Sequence, residues 1–406
     1  MGLIIQKFGG TSVENMDKIL KVAERVADKR RNGNDIVVVI SAMGDSTDNL
    51  LNHAYKLTKT PVSRELDVLL STGEQQSGAL LSIALNSMGF DAKSMTGHQI
   101  GIITDANFKN AKILKINEVT IREELNRGRI VVVAGFQGVN LFEEITTLGR
   151  GGSDTTAVAL AAVLKADICE IYTDVDGVYS LDPGLDSNCR KFRTLSYDEL
   201  LDISFSGAKV VHPRAAELAR KFNIPLVIRS SFSDDAGTII VKDVEGLDRE
   251  KVYALTLHRD EVRLIFNNVS LRCGFNDFLN DLRKHCIAPD TISFEVINEL
   301  PHITLVLTKP HLEKLKEKLS RNELNFKFDD FTEENNITTI TIHGIGLTIE
   351  TEIFNEILLL LRERNEKVLG INKESRKLEL ILVSEQPEEL LKLLNRKLNL
   401  GNGIQD

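Results

Sequence analysis

Two glycine-rich segments carry the residue types needed to bind and move a phosphoryl group. The first, KFGGTS at Lys7 to Ser12, follows a short apolar run at residues 3–5. Gly9 and Gly10 can bring backbone N–H groups close to an anion because glycine has no side chain in the way, and Lys7 adds a positive charge. This segment therefore predicts a strand-to-helix turn that contacts phosphate.

The second segment, GRGGSD at Gly149 to Asp154, opens an alanine-rich helix. Arg150 is a fork-shaped donor suited to a carboxylate or a phosphate, and Ser153 and Asp154 stand at the predicted helix start. An ordinary helix cap with a surface arginine is the alternative. Three glycines, an arginine and an aspartate at one helix start favour a ligand site. Neither segment has P-loop or Rossmann spacing, so a different phosphate-binding architecture is required.

Polar residues in two further segments could complete the site. Ser41 and Thr47 lie in ISAMGDSTD after the second apolar run, and Glu74 lies in STGEQQSG. Hydroxyl groups in loops are usually turn residues, and a glutamate among polar neighbours is usually on a solvated helix face. Each of these residues alone is therefore weak evidence for a binding site.

Charged residues also follow a later strand. The segment YTDVDGVYSLDP places Asp174 and Asp176 near the end of an apolar run, where the carboxyl ends of parallel strands line a ligand crevice. The segment GAKVVHPR offers Lys209 ahead of a helix that carries Arg214. An acidic turn and simple surface charge are the alternatives for these two segments.

An alternation of strands and helices from Met1 to about Val241 must position these residues. The predicted strands are Leu3 to Lys7, Ile36 to Ser41, Ile130 to Phe136 and Ile168 to Asp174. The predicted helices are Asn15 to Arg31, Ser63 to Met88, Ile116 to Arg127 and Thr155 to Lys165. Several strands are apolar throughout, as strands covered on both faces are. The pattern predicts an α/β fold in which helices cover both faces of a mainly parallel sheet.

After about Glu245 the elements become shorter and their order repeats. A strand, a helix, two strands and a helix fall between Val262 and Leu319, and the same order returns between Thr338 and Leu398. A duplicated unit of this kind is typical of ferredoxin-like α+β folds. The pattern predicts a fold and not a function.

Length, charge and cysteine usage limit the class of protein. A chain of 406 residues exceeds one hydrophobic core, so two or three domains are expected. A net charge of −9 argues against nucleic-acid and anionic-membrane partners. The chain opens directly into a strand-like segment and has no apolar run long enough to span a bilayer, so we expect a cytoplasmic protein. Its four cysteines lack the spacing of a disulfide framework or a zinc ribbon.

Taken together and in order, these segments resemble the aspartokinase branch of the amino-acid kinase family. The resemblance covers nearly the whole chain and rests on KFGGTS, SAMG, STGE, GRGGSDTTA, TDVDGVY and KVVHP. It implies an amino-acid-kinase-type doubly wound sheet at residues 1–245. It also implies two regulatory ACT units, at residues 252–332 and 336–406, and a homodimer formed through them.

The resemblance implies transfer of the γ-phosphoryl group of ATP to the side-chain carboxylate of L-aspartate, with Mg²⁺ bridging phosphate oxygens. The product, 4-phospho-L-aspartate, serves lysine, threonine and methionine synthesis in organisms with this family. A carboxylate is already a nucleophile near neutral pH, so alignment and charge neutralisation replace a general base. Lys7 is expected to neutralise charge, and Asp154 to hold the constellation in place.

The remaining roles are also carried over from the family. The residues expected to bind aspartate are Ser41, Thr47, Glu74, Arg150, Gly151, Gly152 and Ser153, with Glu74 pairing with the α-ammonium group. The residues expected to bind nucleotide are Lys7, Phe8, Gly9, Gly10, Thr173, Asp174, Tyr179, Asp182, Lys209 and Val210. An amino-acid effector at the ACT-like units is a further expectation.

Two departures from the family pattern carry consequences. Gly184 stands where the family commonly has an arginine after Asp-Pro, so we expect weaker ATP affinity or a substitute cation from Lys191 or Arg193. The ACT-like units lack the usual Asp-x-Pro-Gly type turn and read NNVSLRCGF, DTISFEVIN and HGIGLTIE at the corresponding segments. We therefore expect weak or altered inhibition by lysine or threonine.

Two rival functions fit parts of the sequence. Another amino-acid kinase, acting on glutamate or acetylglutamate, would share the fold and the first glycine-rich turn. GRGGSD, Glu74 and the paired ACT-like units argue against it. An amino-acid-sensing module that has lost turnover is the second rival. The presence of Lys7, Arg150 and Asp154 argues against that function, and Gly184 argues weakly for it.

Overall fold

The structure of this chain, a computed structural model, describes residues 2–207, 210–244, 251–270, 274–285, 287–324, 327–347 and 351–401. It contains two compact units. The first unit comprises Met1–Tyr179 and Lys191–Asp248, and the second comprises Ser180–Arg190 and Arg249–Asp406. The catalytic domain expected from the sequence is the continuous segment 1–245. In the structure, residues 180–190 belong to the second unit.

The first unit alternates strands with helices. Its strands are β1 (Leu3–Phe8), β2 (Asp35–Ile40), β3 (Ala92–Met95), β4 (Ile102–Thr104), β5 (Ile113–Ile116), β6 (Ile130–Ala134), β7 (Gln137–Val139), β8 (Ile145–Thr147), β9 (Ile168–Thr173), β10 (Thr194–Ser196), β11 (Leu226–Ser230) and β12 (Thr238–Val241). Its helices are α1 (Met16–Arg31), α2 (Ser46–Leu57), α3 (Ser63–Ser87), α4 (Val119–Asn126), α5 (Gly152–Leu164), α6 (Tyr197–Phe205) and α7 (Pro213–Phe222). A short 3₁₀ turn, Gly10–Val13, follows β1.

An eight-stranded sheet forms the centre of this unit, in the order β10-β12-β11-β9-β1-β2-β6-β3. Its strand pairs are parallel except for β11 with β12. Every residue of β6 is buried, because helices cover both faces of the sheet. A small second sheet has the order β5-β4-β7-β8. The predicted α/β fold with a mainly parallel sheet is confirmed.

Helix α1 illustrates how local sequence determines these elements. The Asn15 side chain accepts a hydrogen bond from the Lys18 amide and so caps the helix. The buried residues of α1, namely Ile19, Val22, Ala23, Val26 and Ala27, recur at helical spacing and join the main core. Gly33 follows with φ +83°, a conformation that glycine adopts without strain, and ends the element.

The second unit contains a single six-stranded antiparallel sheet in the order β14-β15-β13-β16-β18-β17. Its strands are β13 (Val252–Asn267), β14 (Thr291–Ile297), β15 (Leu300–Thr308), β16 (Asp330–Gly344), β17 (Lys367–Lys373) and β18 (Lys377–Val383). Its helices are α8 (Gly274–Lys284), α9 (Lys309–Ser320), α10 (Thr351–Glu363) and α11 (Pro387–Lys397). The repeated order expected from the sequence is observed.

The two repeats share strands rather than forming two separate sheets. Strand β13 pairs along most of its length with β16, from Val252 opposite Gly344 to Asn267 opposite Asp330. Only the second half of β13 pairs with β15, and only the second half of β16 pairs with β18. Each long strand therefore belongs to both repeats.

The composition also gave expectations about membrane-spanning segments and about the cysteines. Among the described residues, no helix combines the length and apolar character needed to cross a bilayer. Cys169 and Cys189 are buried free thiols, and burial raises the pKa of Cys169. The other two cysteines, Cys273 and Cys286, lie outside the described residues.

Candidate active site

A cleft of about 610 Å³ opens at the carboxyl ends of the neighbouring strands β1, β2 and β6. It is also bordered by one face of α2, by the first turn of α5 and by the first half of α3. The predicted site residues that line it are Lys7, Gly9, Gly10, Ser41, Thr47, Glu74, Arg150, Gly151, Gly152, Ser153 and Asp154. The two glycine-rich segments therefore meet in one cavity.

Lys7 and Asp154 form the charged centre of the cleft. The Lys7 Nζ lies 2.8 Å from the Asp154 Oδ1, and the two side chains are only 12% and 11% exposed. A Cβ atom at Gly9 would lie 3.3 Å from the Lys7 Nζ, so the glycine leaves room for the ammonium group. Since both ends of the pair are largely shielded from water, its charges act strongly on any group that enters the cleft.

His212, in the GAKVVHPR segment, contacts the second glycine-rich turn and holds it in place. The His212 amide donates to the Asp154 Oδ2 at 3.2 Å. Gly151 has φ +66°, and a Cβ there would lie 2.0 Å from the His212 ring. Glycine is thus required at 151 both by the backbone conformation and by the contact with His212. Burial lowers the pKa of His212, so its ring stays neutral near pH 7.

Glu74 lies on the buried face of α3 and is only 4% exposed. Its Oε1 accepts a hydrogen bond from the Ala42 amide at 3.2 Å. Its Oε2 is buried without a hydrogen-bond donor among the described residues. Burial raises the pKa of Glu74 to about 7. A buried carboxylate oxygen that lacks a donor is costly, so this oxygen is suited to a cationic group of a ligand.

Arg150 is the opposite pole of the cleft. Its side chain is exposed, and none of the ion pairs between described residues involves its guanidinium group. The hydroxyl-bearing residues Ser41 and Thr47 line the same cavity, and the Ser41 amide donates to the Phe8 carbonyl at 3.1 Å. The cleft thus presents an unpaired anion, Glu74, and an unpaired cation, Arg150, as a zwitterionic amino acid would require.

Among the lining residues that sequence reasoning missed, Phe136 and Lys109 have an unusual backbone conformation. Phe136 follows β6 with φ +68°, which is uncommon for an aromatic residue, and it contacts Gly152 at the start of α5. Lys109, with φ +70°, adds an exposed cation to the rim. The Gly-Phe-Gln-Gly run after β6 was the available signal for Phe136. Nothing local in the sequence marks Lys109.

Asp67 is a fully buried carboxylate that holds the rim together. It accepts hydrogen bonds from the Lys109 amide, from the Thr147 amide at 2.8 Å and from the Thr147 hydroxyl at 2.9 Å. Burial raises the pKa of Asp67, and these donors partly oppose the effect. Asp67 thus joins α3 to β8 and to the loop of Lys109.

We expect Asp67→Asn to lower the free energy of unfolding by about 2–3 kcal/mol, because an amide nitrogen would face N–H donors and hydrogen bonds to a charge would be lost. Urea denaturation of the two proteins measures the difference. Asp45→Asn is the matched control, since Asp45 is exposed and its side chain makes no capping hydrogen bond. Equal stability of wild type and Asp67→Asn would show that the network does not support the rim.

Arg214 is a structural cation and not a surface charge. It donates to the Leu148 carbonyl at 2.6 Å and to the Ala111 carbonyl at 3.0 Å, and it also reaches Asn110. Leu148 immediately precedes the GRGGSD segment. Arg214 therefore fixes the backbone from which Arg150 projects.

The residues predicted to bind nucleotide are distributed differently. Thr173 is the last residue of β9, the neighbour of β1, and Asp174 follows it, so both lie at the same edge of the sheet as the cleft. The Phe8 side chain is fully buried and stacks on Tyr172 at 4.6 Å, which leaves only its backbone near the first glycine-rich turn. The Gly9 amide donates to the Tyr172 carbonyl at 3.4 Å.

Other predicted nucleotide residues lie farther along the chain. The Tyr179 hydroxyl donates to Asp176 at 2.7 Å, and Val210 is half-buried in a turn before α7. Asp182 belongs to the second unit, where it accepts a hydrogen bond from the Gly184 amide at 2.8 Å. Lys209 lies outside the described residues.

Known proteins resemble this chain over nearly its whole length. The model of the "Amino acid kinase family" matches residues 2–230. An aspartokinase of Bacillus sp. (strain MGA3) is 39% identical over 99% of this chain and 98% of its own length. Aspartokinase 2 of Bacillus subtilis (strain 168) is 41% identical over 90% of both chains.

A solved structure gives the same result for the fold. The crystal structure of E. coli aspartokinase III in complex with aspartate and ADP covers 98% of this chain and 100% of its own, with a TM-score of 0.80 at 23% identity. The likeness extends over both units of the chain, and the sequence relatives above are of nearly full length. The chain therefore belongs to the amino acid kinase family, and within that family to the aspartokinases.

Proposed function

We propose that the protein is an aspartate kinase, which transfers the γ-phosphoryl group of ATP to the side-chain carboxylate of L-aspartate. One observation carries this proposal. The same cleft contains a buried carboxylate oxygen of Glu74 that lacks a hydrogen-bond donor and an Arg150 guanidinium group that makes no ion pair among the described residues. The α-ammonium group of aspartate supplies the cation that Glu74 lacks. A carboxylate of aspartate supplies the anion for Arg150.

Phosphoryl transfer in this cleft needs no proton transfer. An oxygen of the aspartate carboxylate attacks the γ-phosphorus, the bond to the bridging oxygen breaks, and ADP leaves with the electron pair. Lys7 offsets the negative charge that gathers between donor and acceptor, and the N-terminus of α5, whose helix dipole favours anions, lines the same cleft. Asp154 holds Lys7 in place by the ion pair at 2.8 Å.

Asp154 also fits a role next to a hard divalent cation. Its carboxylate lies in the cleft beside Lys7, and carboxylate and phosphate oxygens are the ligands that Mg²⁺ prefers. Mg²⁺ bound to the nucleotide would supply further neutralisation of phosphate charge. The chain's own residues in the cleft would orient the two substrates.

Product trapping tests the proposed function. The purified chain is incubated with ATP, Mg²⁺ and hydroxylamine, with L-aspartate, L-glutamate or no acceptor, and ADP and hydroxamate are measured. We expect ADP release that depends on aspartate and equals the aspartyl hydroxamate formed. Turnover that is as fast with glutamate, or ADP release without hydroxamate, would contradict the proposal.

A cation from the loop after β9 could replace the arginine missing at position 184. Of the two candidates, Lys191 already pairs with Asp176 at 3.1 Å and with Asp235. Arg193 is exposed, so it is the better substitute. We expect Arg193→Ala to raise the KM for ATP about tenfold, equal to about 1.4 kcal/mol.

Steady-state kinetics with ATP varied at saturating aspartate measures the Arg193 effect. Arg283→Ala, at an exposed position in the second unit, is the control and should leave the KM for ATP unchanged. An Arg193→Ala protein with the wild-type KM for ATP would exclude this arginine as the substitute.

Regulation by an amino acid is the further expectation for the second unit, and the E. coli relative has also been solved with lysine and aspartate. The segments that depart from the usual ACT pattern lie at the end of β13, along the whole of β14 and at the end of β16, and parts of the first and third fall outside the described residues. We expect lysine and threonine to inhibit only weakly because the usual turn is replaced. Potent inhibition of the kinase activity by lysine or threonine, alone or combined, would contradict this expectation of weak inhibition.

A homodimer through the second unit completes the proposal. Strand β14 lies at the edge of the six-stranded sheet and exposes Ile292, Phe294 and Val296. An exposed edge strand with large apolar side chains is suited to pairing with another copy. Sedimentation equilibrium of wild type should give twice the chain mass.

A further inference from the structure

Three potential metal ligands meet in the second unit, far along the chain from the residues of the proposed active site. His258, Glu261 and Asp290 each present a ligand atom, and these atoms all lie within 4.8 Å of one another. His258 and Glu261 belong to β13, and Asp290 immediately precedes β14. The proposed kinase reaction uses none of them.

Irregular backbone brings the three side chains together. The pairing of β13 with β16 shifts register between His258 and Glu261 and again between Glu261 and Arg263, and Asp260 has φ +57°. Such a bulge redirects side chains out of the regular alternation. On the other side, the Asp290 amide donates to the Val306 carbonyl of β15, which holds Asp290 beside the sheet.

Glu261 shows that the cluster is incomplete as protein alone. Its side chain is 1% exposed, and its Oε2 accepts a hydrogen bond from the Thr339 hydroxyl at 2.6 Å. Its Oε1 is buried without a hydrogen-bond donor among the described residues. The His258 Nδ1 lies 3.8 Å away, too far for a hydrogen bond. A buried carboxylate oxygen of this kind calls for a proton or a cation.

The geometry points to a binding site for a divalent transition-metal ion, with Zn²⁺ as the best match, formed by His258, Glu261 and Asp290. One imidazole nitrogen and two carboxylate oxygens are a ligand set that Zn²⁺ accepts, whereas Mg²⁺ and Ca²⁺ prefer oxygen ligands alone. Ligands about 2.1 Å from a tetrahedral ion lie about 3.4 Å apart. The His258 and Glu261 atoms are 3.8 Å apart and all three ligand atoms lie within 4.8 Å of one another, so side-chain rotations must bring them closer to hold the ion.

The expected consequence is structural. The ion would link the bulge of β13 to the start of β14, across the intervening strand β15. Binding to the folded state alone raises the stability of that state. A metal ion at this site would therefore stabilise the second unit, separately from the Mg²⁺ proposed for phosphoryl transfer.

Metal content of the full-length chain tests the proposal. Wild type, Glu261→Gln, Asp290→Asn and the control Glu356→Gln are dialysed against ZnCl₂, and bound zinc per chain is measured by mass spectrometry. Glu356 is exposed on α10 and makes no described ion pair. We expect wild type and the control to retain one more zinc ion per chain than the two site variants. Equal zinc content in all four proteins would overturn the site.

Thermal unfolding of wild type and Asp290→Asn is a second test, which does not depend on whether Glu261→Gln folds. Asp290 is exposed, so its replacement leaves the core intact. Zn²⁺ should raise the unfolding temperature of wild type but not of Asp290→Asn, and Mg²⁺ at the same concentration should not reproduce the effect. If Zn²⁺ shifts neither protein, or shifts both equally, Glu261 and Asp290 share a proton instead and the metal site is wrong.

Discussion

Replacing Lys7 with methionine should lower kcat about 10³-fold while the protein stays folded. Methionine keeps the length of the side chain but removes the charge, so the transferring phosphoryl group loses its neutralising cation. The Asp154 carboxylate, now unpaired, would also repel the phosphates. Initial rates of ADP formation at saturating ATP and aspartate measure the loss.

Two comparisons separate a direct role of Lys7 from a positioning role. Lys56→Met, at an exposed position of α2, is the control and should keep the wild-type rate. The double variant Lys7→Met/Asp154→Asn removes the unpaired carboxylate, and it should remain slow because the cation is still absent. A single variant that loses less than about tenfold in kcat would contradict the role given to Lys7.

Replacing Glu74 with glutamine should raise the KM for aspartate about 10²-fold, equal to about 2.8 kcal/mol, with little effect on the KM for ATP. Glutamine keeps the acceptor for the Ala42 amide but no longer attracts an ammonium group. Glu65→Gln, exposed near the start of the same helix, is the matched control. Steady-state kinetics with aspartate varied at saturating ATP gives the result, and an unchanged KM would refute the assignment.

The pH dependence of aspartate binding gives a second readout for Glu74. Burial raises its pKa from 4.5 to about 7, so a growing fraction is protonated as the pH falls below 7. Protonated Glu74 does not attract the α-ammonium group, so the KM for aspartate should rise on the acid side of pH 7 in wild type. Glu74→Gln should lack this rise.

Stability without substrate should change in the opposite direction. A carboxylate whose pKa is raised on folding contributes stability below about pH 4.5, and this contribution is lost as the pH rises through 7. At pH 8 the wild type therefore carries the cost of a buried charge, on the order of 3 kcal/mol. We expect Glu74→Gln to unfold at a higher temperature than wild type at pH 8 and at a similar temperature at pH 4.5.

Strong periodic patterns made most of the fold predictable. The apolar runs of β1, β2, β6 and β9 and the helical spacing of α1 identify the parallel sheet before any tertiary information is used. The start of α5 was predicted three residues late, because glycines disfavour helix although Gly152 begins this one. The glycine-rich turns were recognised as a pair because their residue types are chemically specific.

Features that depend on tertiary contact were not predictable. The polar sequence around Glu74 looks solvated, yet its small residues allow α3 to pack closely on the end of β2, and a Cβ at Gly73 would lie 2.8 Å from Ala42. The positive φ of Phe136 and Lys109 is imposed by neighbouring segments and not by local preference. The sharing of β13 and β16 between repeats likewise depends on pairing between residues distant in sequence.

A crystal structure with L-aspartate and a non-hydrolysable ATP analogue would show whether both substrates bind in this cleft. We expect aspartate in the cleft, with its ammonium group at the Glu74 Oε2, a carboxylate on the Arg150 guanidinium and the γ-phosphoryl group beside the Lys7 Nζ. Aspartate bound elsewhere, or bound in the cleft without contact to Glu74 and Arg150, would contradict it.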